Sequence, residues 1–173
     1  HRHHEAYHPS AAIAAAREVI WGDLCDWYLE LVKPRFRPEA PADTRAAAQQ
    51  VLAAVLDQTL RLLHPFVPFL TERLWQRLGE LAPVRGIERE LPASALLVQA
   101  AWPEPPADWR CADTERDLAA VQQWCTAIRE ARATYQVAPR TRVPVRIQAS
   151  GAAAETLLRG RELLQHMATA ERI

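Results

Sequence analysis

The stretch LLHPFVPFLTERLW, Leu62 to Trp75, decides how this chain folds. It is strongly apolar, yet Pro65 and Pro68 stand in its first half. A buried helix does not tolerate prolines in mid-run, because the ring clashes with the preceding turn and removes a donor. The residue before a proline avoids the α region, so His64-Pro65 ends one helix. Pro68 suits the first position of the next, where its missing N–H costs nothing. The segment therefore predicts a helix, a corner and a second helix, with Phe69, Leu70, Leu74, Trp75 and Leu78 on an apolar face that ends near Gly79.

Working outward, Ser10 to Lys33 carries a helical pattern. Ile13, Arg17, Ile20, Leu24, Tyr28 and Leu31 recur at steps of three and four. Ser10 is a candidate cap and Pro34 a stop. The proline-rich KPRFRPEAPAD reads as a connection. Asp43 or Thr44 can then cap a helix to about Leu63, with Val51, Leu52, Val55, Leu56, Thr59, Leu60 and Leu63 as its stripe. Composition changes at Pro83. APVRGIERELPAS reads as a loop, and Leu96 to Trp102 as a short strand stopped by Pro103. Asp113-Thr114 can open another helix, with Asp117 in capping-box position. Leu118, Val121, Trp124 or Cys125, Ile128 and Tyr135 mark its face. RVPVRIQ, residues 142–148, alternates like a strand, and residues 152–168 form a last helix. The expected layout is mainly α: a helical bundle over 1–82, followed by a small mixed α/β subdomain over 83–173.

Composition excludes some classes. There are 21 basic and 21 acidic residues, so no whole-chain basic excess argues for nucleic acid. Three cysteines, with no C-x-x-C pair, argue against a disulfide framework and a zinc site and fit a reducing cytosol. No apolar run of membrane length occurs. The opening HRHHEAYHPS without a starting Met, and the abrupt end at ERI, read as a piece of something longer. The histidines of HRHHEAYH match no structural zinc spacing, so no metal site is expected.

No G-x-S-x-G, P-loop or G-x-G-x-x-G is present. Asp23 and Asp26 read as solvated carboxylates. Two clusters do stand out. Lys33, Arg35, Arg37 and Arg45 flank Phe36 around the first connection. Arg129, Arg132, Arg140, Arg142 and Arg146 face one acid, Glu130. Cations beside an aromatic suit single-stranded RNA, since charge meets phosphate while rings and guanidinium planes stack on bases. The plainer reading is a solvated surface. For His64 the plainer reading is a corner histidine that bonds freed backbone groups.

LLHPFVPFLTERLW resembles the Leu-His-Pro-Phe-x-Pro-Phe-x-Thr-Glu-x-Leu-Trp signature of the anticodon-binding helical domain of class I aminoacyl-tRNA synthetases. WGDLCDWYLELVKPRF, Trp21 to Phe36, resembles the Cys-Asp-Trp-Tyr-x-Glu block of the valyl-tRNA synthetase family. AAWPE and AIREARATYQVAPRTRVPVRI, Ala127 to Ile147, are similar to two further blocks in that family's order. Arg73 stands where a second acid is common. The start HRHHEAYHPS fits the family's approach to its first helix poorly.

The resemblance implies a helix bundle that grips the anticodon stem-loop of a valine tRNA. It implies an intact enzyme that is a valine–tRNA ligase using ATP and Mg²⁺, while this stretch holds no cofactor and no catalytic residue. The His-x-Gly-His and Lys-Met-Ser-Lys-Ser elements of that chemistry are absent. The implied partners are the tRNA and the catalytic domain of the same chain, in a cytoplasmic monomer without membrane contact. The expected tRNA contacts are Lys33, Arg35, Phe36 and Arg37, with Arg129, Arg132, Arg140 and Arg142 behind them, then Trp27 and His64. They are chosen on charge and local context. Trp21, Leu24, Tyr28, Leu63, Phe66, Phe69, Leu70 and Trp75 are expected to be scaffold. The same domain of an isoleucyl enzyme, or a non-catalytic helical interaction module, are the alternatives.

Overall fold

The computed structural model describes residues 9–87, 89–104 and 106–173. It falls into two compact units, His1–Pro105 and Pro106–Ile173. Helix dominates both, in agreement with a mainly α chain.

The first unit begins with a helical rod: α1 (Pro9–Arg17), a π-helical stretch (Glu18–Tyr28) and α2 (Leu29–Val32). Its buried side chains are Ala12, Ala16, Ile20, Leu24 and Val32. They are separated by four residues or a multiple of four. In an α-helix each residue turns about 100°, so every such step overshoots by about 40° and the row would wind off its face. The wider i→i+5 closure of the π stretch turns less per residue and brings the row back. The expected stripe is corrected accordingly. Ile13 is 47% exposed and Trp21 60% exposed, while the small Ala12 and Ala16 take the buried positions.

The corner is as expected. Helix α3 spans Ala42–Leu63 and α4 spans Pro68–Leu81, with Pro68 in the first turn of α4. The start of α3 is not capped by Asp43 or Thr44, since Pro41 holds the cap position. Asp43 lies inside the first turn, where its carboxylate accepts the Thr44 N–H at 2.7 Å and meets the positive end of the helix dipole. The buried face of α3 runs through Ala53, Ala54, Asp57, Leu60 and Arg61, sharing Leu60 with the predicted stripe and otherwise one position away from it. On α4 the buried face is Thr71, Trp75 and Leu78, whereas Phe69 and Leu70 point outward at 91% and 61% exposure.

Residues 96–102 form no strand. Leu97–Gln99 is a 3₁₀ turn, and Leu97 enters the core with Ala53, Leu60, Trp75 and Leu78. The backbone of this segment is satisfied by side chains of α4 instead of a neighbouring strand. Glu72 accepts the Leu97 N–H at 2.9 Å, Trp75 Nε1 donates to the Ser94 carbonyl at 3.0 Å, and Gln76 Nε2 donates to the Ala95 carbonyl at 2.7 Å. The segment after residue 82 is thus tied to α3 and α4, within the compact unit that ends at Pro105.

A buried ion triad completes this attachment. Asp57 accepts from Arg61 Nε at 2.7 Å and from Arg85 Nη1 at 2.9 Å. Both guanidinium groups lie over the Trp75 ring, 5.1 Å and 4.0 Å from its centroid. Arg61 also donates to the carbonyls of Pro92 and Ala101, and Arg85 to that of Ala82.

In the second unit, α5 (Ala112–Thr134) packs on α6 (Gly151–Met167). Asp117 caps nothing; it binds Thr156 and Arg159 of α6. Gly160 permits the close approach, since a Cβ there would stand 2.6 Å from Val121 Cγ2. The strand expected over 142–148 shrinks to β1 (Val143–Pro144), parallel to β2 (Ala170–Arg172). Pro144 has no N–H to extend the ladder.

Candidate nucleic-acid interface

The first cationic cluster sits where the rod ends. Lys33–Phe36 is a 3₁₀ turn with Pro34 in its first positions. Arg35 and Arg37 are exposed and Phe36 is half-buried between them. Lys33 is exposed and paired with Glu30 on the turn before it. The connection is closed by the Ala40 N–H on the Arg37 carbonyl at 3.0 Å. Arg45, on the first turns of α3, reaches back over it. Its Nη2 donates to the carbonyls of Arg37, Pro38 and Ala40 at 3.1, 3.0 and 3.2 Å. Trp27 is half-buried on the π stretch.

The second cluster belongs to the other unit. Arg140 and Arg142 are exposed on the loop that follows α5. Arg129 is exposed and donates to the Met167 carbonyl at 3.0 Å. Arg132 is placed differently from the expectation. It is 9% exposed and takes the next position on the buried face of α5 after Val121 and Cys125. Its Nη2 donates to the carbonyls of Ala138, Pro139 and Thr141 at 3.0, 3.3 and 2.8 Å, and its Nη1 to that of Thr169 at 3.5 Å. Nη2 is thus turned onto the loop and Nη1 toward Thr169, so Arg132 bears on the shape of the loop.

Tyr135 was expected on the apolar face of α5, but it is 80% exposed at the start of the arginine loop. It gives the second cluster an exposed aromatic, where the first has the half-buried Phe36. The signal in the sequence was its place beyond the last buried turn, before Gln136, whose φ of 53° ends the helix in a left-handed residue.

His64 is a corner residue. Its Nδ1 lies 2.8 Å from Thr71 Oγ1, which lies 2.9 Å from the Val67 carbonyl and 3.1 Å from the Pro68 carbonyl. A carbonyl has no proton to give, so the Thr71 hydroxyl donates to one of them. By those partners the proton of the ring is assigned to Nδ1, donating to Thr71.

The two nucleotide-binding elements do not occur in the sequence, and among the described residues no three His, Cys, Asp or Glu side chains group to hold a metal. The N-terminal histidines lie outside the described residues. No described helix is long and apolar enough to cross a membrane. Of the free thiols, Cys111 is exposed and held below the ordinary thiol range by the Thr114 hydroxyl, 3.1 Å from its sulfur. Burial pushes the Cys125 thiol up.

Comparison with known proteins adds the family. Residues 1–147 match the anticodon-binding domain of tRNA ligase. A valine–tRNA ligase of Symbiobacterium thermophilum is 38% identical over 172 residues, covering 93% of this chain and 18% of the relative. One of Thermosynechococcus vestitus is 39% identical over 169 residues, covering 96% and 17%. One of Rhodopirellula baltica is 35% identical over 153 residues, covering 88% and 14%. The chain thus spans less than a fifth of the length of these relatives. With most of its length inside one domain description and matched by the valine–tRNA ligases named above, the chain belongs to the anticodon-binding domain family of the tRNA ligases.

Proposed function

We propose that this chain binds and positions the anticodon stem-loop of a valine tRNA as part of a longer cytoplasmic valine–tRNA ligase. The observation that carries the reading is the exposed pair Arg35 and Arg37 with the half-buried Phe36 between them, on a connection braced by Arg45. Two guanidinium groups meet phosphates, and a half-buried ring between them offers a face for stacking. Arg140 and Arg142, with Tyr135, supply the same chemistry on the second unit, and Lys33, Arg129 and Trp27 flank the two sets. Activation of valine with ATP and Mg²⁺ belongs to other parts of that ligase, and the ligase acts as a monomer. The role of the present residues is to hold RNA.

The test is filter binding of a valine tRNA transcript to the full-length protein across a salt series. Affinity is expected to fall steeply with salt, because phosphate contacts release counterions. Arg35→Ala with Arg37→Ala is expected to weaken binding and to flatten the log–log salt slope by about one per lost contact. Unchanged curves would remove these residues from the interface. An isoleucine tRNA competing as well as the valine one would remove the valine assignment.

A further inference from the structure

We infer that Arg45 and Arg132 are positioning residues, each of which holds an arginine-bearing loop in the shape that meets RNA. The inference rests on the RNA-binding reading above.

The two loops share one difficulty. The connection 37–41 contains Pro38 and Pro41, and the loop 136–142 contains Pro139. Prolines donate no N–H, so these loops carry more carbonyls than they can satisfy from their own backbone. In both loops the shortage is met by the guanidinium of one arginine from the adjoining helix. Arg45 takes three carbonyls between Arg37 and Ala40. Arg132 takes three between Ala138 and Thr141. Neither arginine is paired with a carboxylate among the described residues.

The bonds fall at the residues that matter. The Arg37 carbonyl is itself an acceptor of Arg45, so the backbone that carries the Arg37 side chain is fixed at its own peptide. Arg140 lies between Pro139 and Thr141, and both of those carbonyls are held by Arg132 Nη2. The exposed arginines therefore stand on pinned backbone, and less ordering is left to be done on binding. In the sequence Arg45 stands in the first cationic cluster and Arg132 among the expected contacts. The geometry gives them a separate task.

Direct contact and positioning differ in what lysine can replace. A phosphate contact needs charge, which Lys keeps. A brace across three carbonyls needs the rigid fork, which Lys lacks. The experiment measures tRNA affinity of the full-length protein for Arg45→Ala, Arg45→Lys, the Arg35→Ala/Arg37→Ala pair, and each Arg45 variant within that pair. Arg45→Ala is expected to weaken binding by about tenfold, from the ordering that binding must then supply. Arg45→Lys is expected to stay nearly as weak. Either change should have little further effect once Arg35 and Arg37 are gone, because the brace acts only through them. Circular dichroism melts check that each variant folds; if Arg45→Ala does not fold, Arg45→Lys carries the cycle. Rescue by lysine, or losses that add fully to those of the pair, would overturn the positioning role. No effect of the Arg35/Arg37 pair would instead overturn the RNA reading on which it stands.

Discussion

Glu72 and Leu97 are joined across 25 residues: the Glu72 carboxylate accepts the Leu97 N–H at 2.9 Å. Leu97 is 2% exposed and packs with Trp75 and Leu78. A backbone donor carried into a helical core has no neighbouring strand to meet it, and an unmet buried donor costs about 1–3 kcal/mol. The half-buried Glu72 is placed on α4 to meet it, one turn before Trp75, which fixes the same segment through Ser94. Glu72→Ala should therefore destabilise the first unit by about 1–3 kcal/mol. Glu72→Gln keeps an acceptor of the same reach and should lose less. Urea melts of the two variants decide it, and equal losses would show that the Leu97 N–H is not what Glu72 serves.

Asp57 is the single anion between Arg61 and Arg85, and it is fully buried. Replacing it by Asn leaves two buried cations over one indole ring. Removing one partner of a buried ion pair costs about 3–5 kcal/mol. Arg85→Met removes one cation and leaves Asp57 matched to Arg61, so its cost should be smaller although it also loses a contact with Trp75. The expected order of stability in chemical denaturation is wild type, Arg85→Met, Asp57→Asn. A reversed order would mean that Arg85 acts mainly through its stacking on Trp75.

How far the sequence foretold this arrangement depends on where its signals were local. The corner at Pro65 and Pro68 was legible because proline acts on its own backbone and its neighbour's. The strand over 96–102 was misread and the one over 142–148 drawn too long, because an apolar or alternating run says only that a segment could lie in a sheet. Whether it does depends on a partner, and around Leu97 the partners were side chains: Glu72 for Leu97 itself, Trp75 and Gln76 for Ser94 and Ala95 just before it. The stripe of α3 was misplaced because a hydropathy reading counts Asp57 and Arg61 as polar and turns them outward. Their burial depends on Arg85, far away in sequence. The same blindness affects the candidate interface. Charge and context found both loops, yet could not separate Arg35 and Arg37, which face solvent, from Arg132, which is buried against carbonyls.

Gly160 lies where α6 meets α5, and a methyl group there would stand 2.6 Å from Val121 Cγ2. In an isolated helix Gly→Ala would be favourable by about 1 kcal/mol. Here the gain is opposed by overpacking against a buried valine, which costs about 1–3 kcal/mol. Gly160→Ala should therefore leave the second unit no more stable, and in most of that range less stable. Adding Val121→Ala removes the obstructing methyls, so Gly160→Ala should be better tolerated in that background. A thermal-melt double-mutant cycle measures this coupling, and an additive result would rule out the contact.

Asp117 links the same two helices by charge. Its Oδ1 accepts the Thr156 hydroxyl at 2.8 Å, and its Oδ2 accepts Arg159 Nε and Nη2 at 3.0 and 2.8 Å. The Thr156 hydroxyl, then the Arg159 guanidinium, hold its carboxyl below the usual carboxylate range. A folded-state value below the unfolded one means that the ionised form favours the folded state. The contribution is therefore complete above the unfolded value, about 3.9, and is lost as pH falls through the lower folded value. Asp117→Asn should lower the melting temperature at pH 7 and leave it nearly unchanged well below the folded value, where Asp117 is protonated in both states. Because the pair is solvent-accessible, added salt should shrink the difference at pH 7. Melting curves at neutral and acidic pH, each at low and high salt, provide the check. A difference between the proteins that persists undiminished in acid would assign Asp117 a role in packing instead of charge.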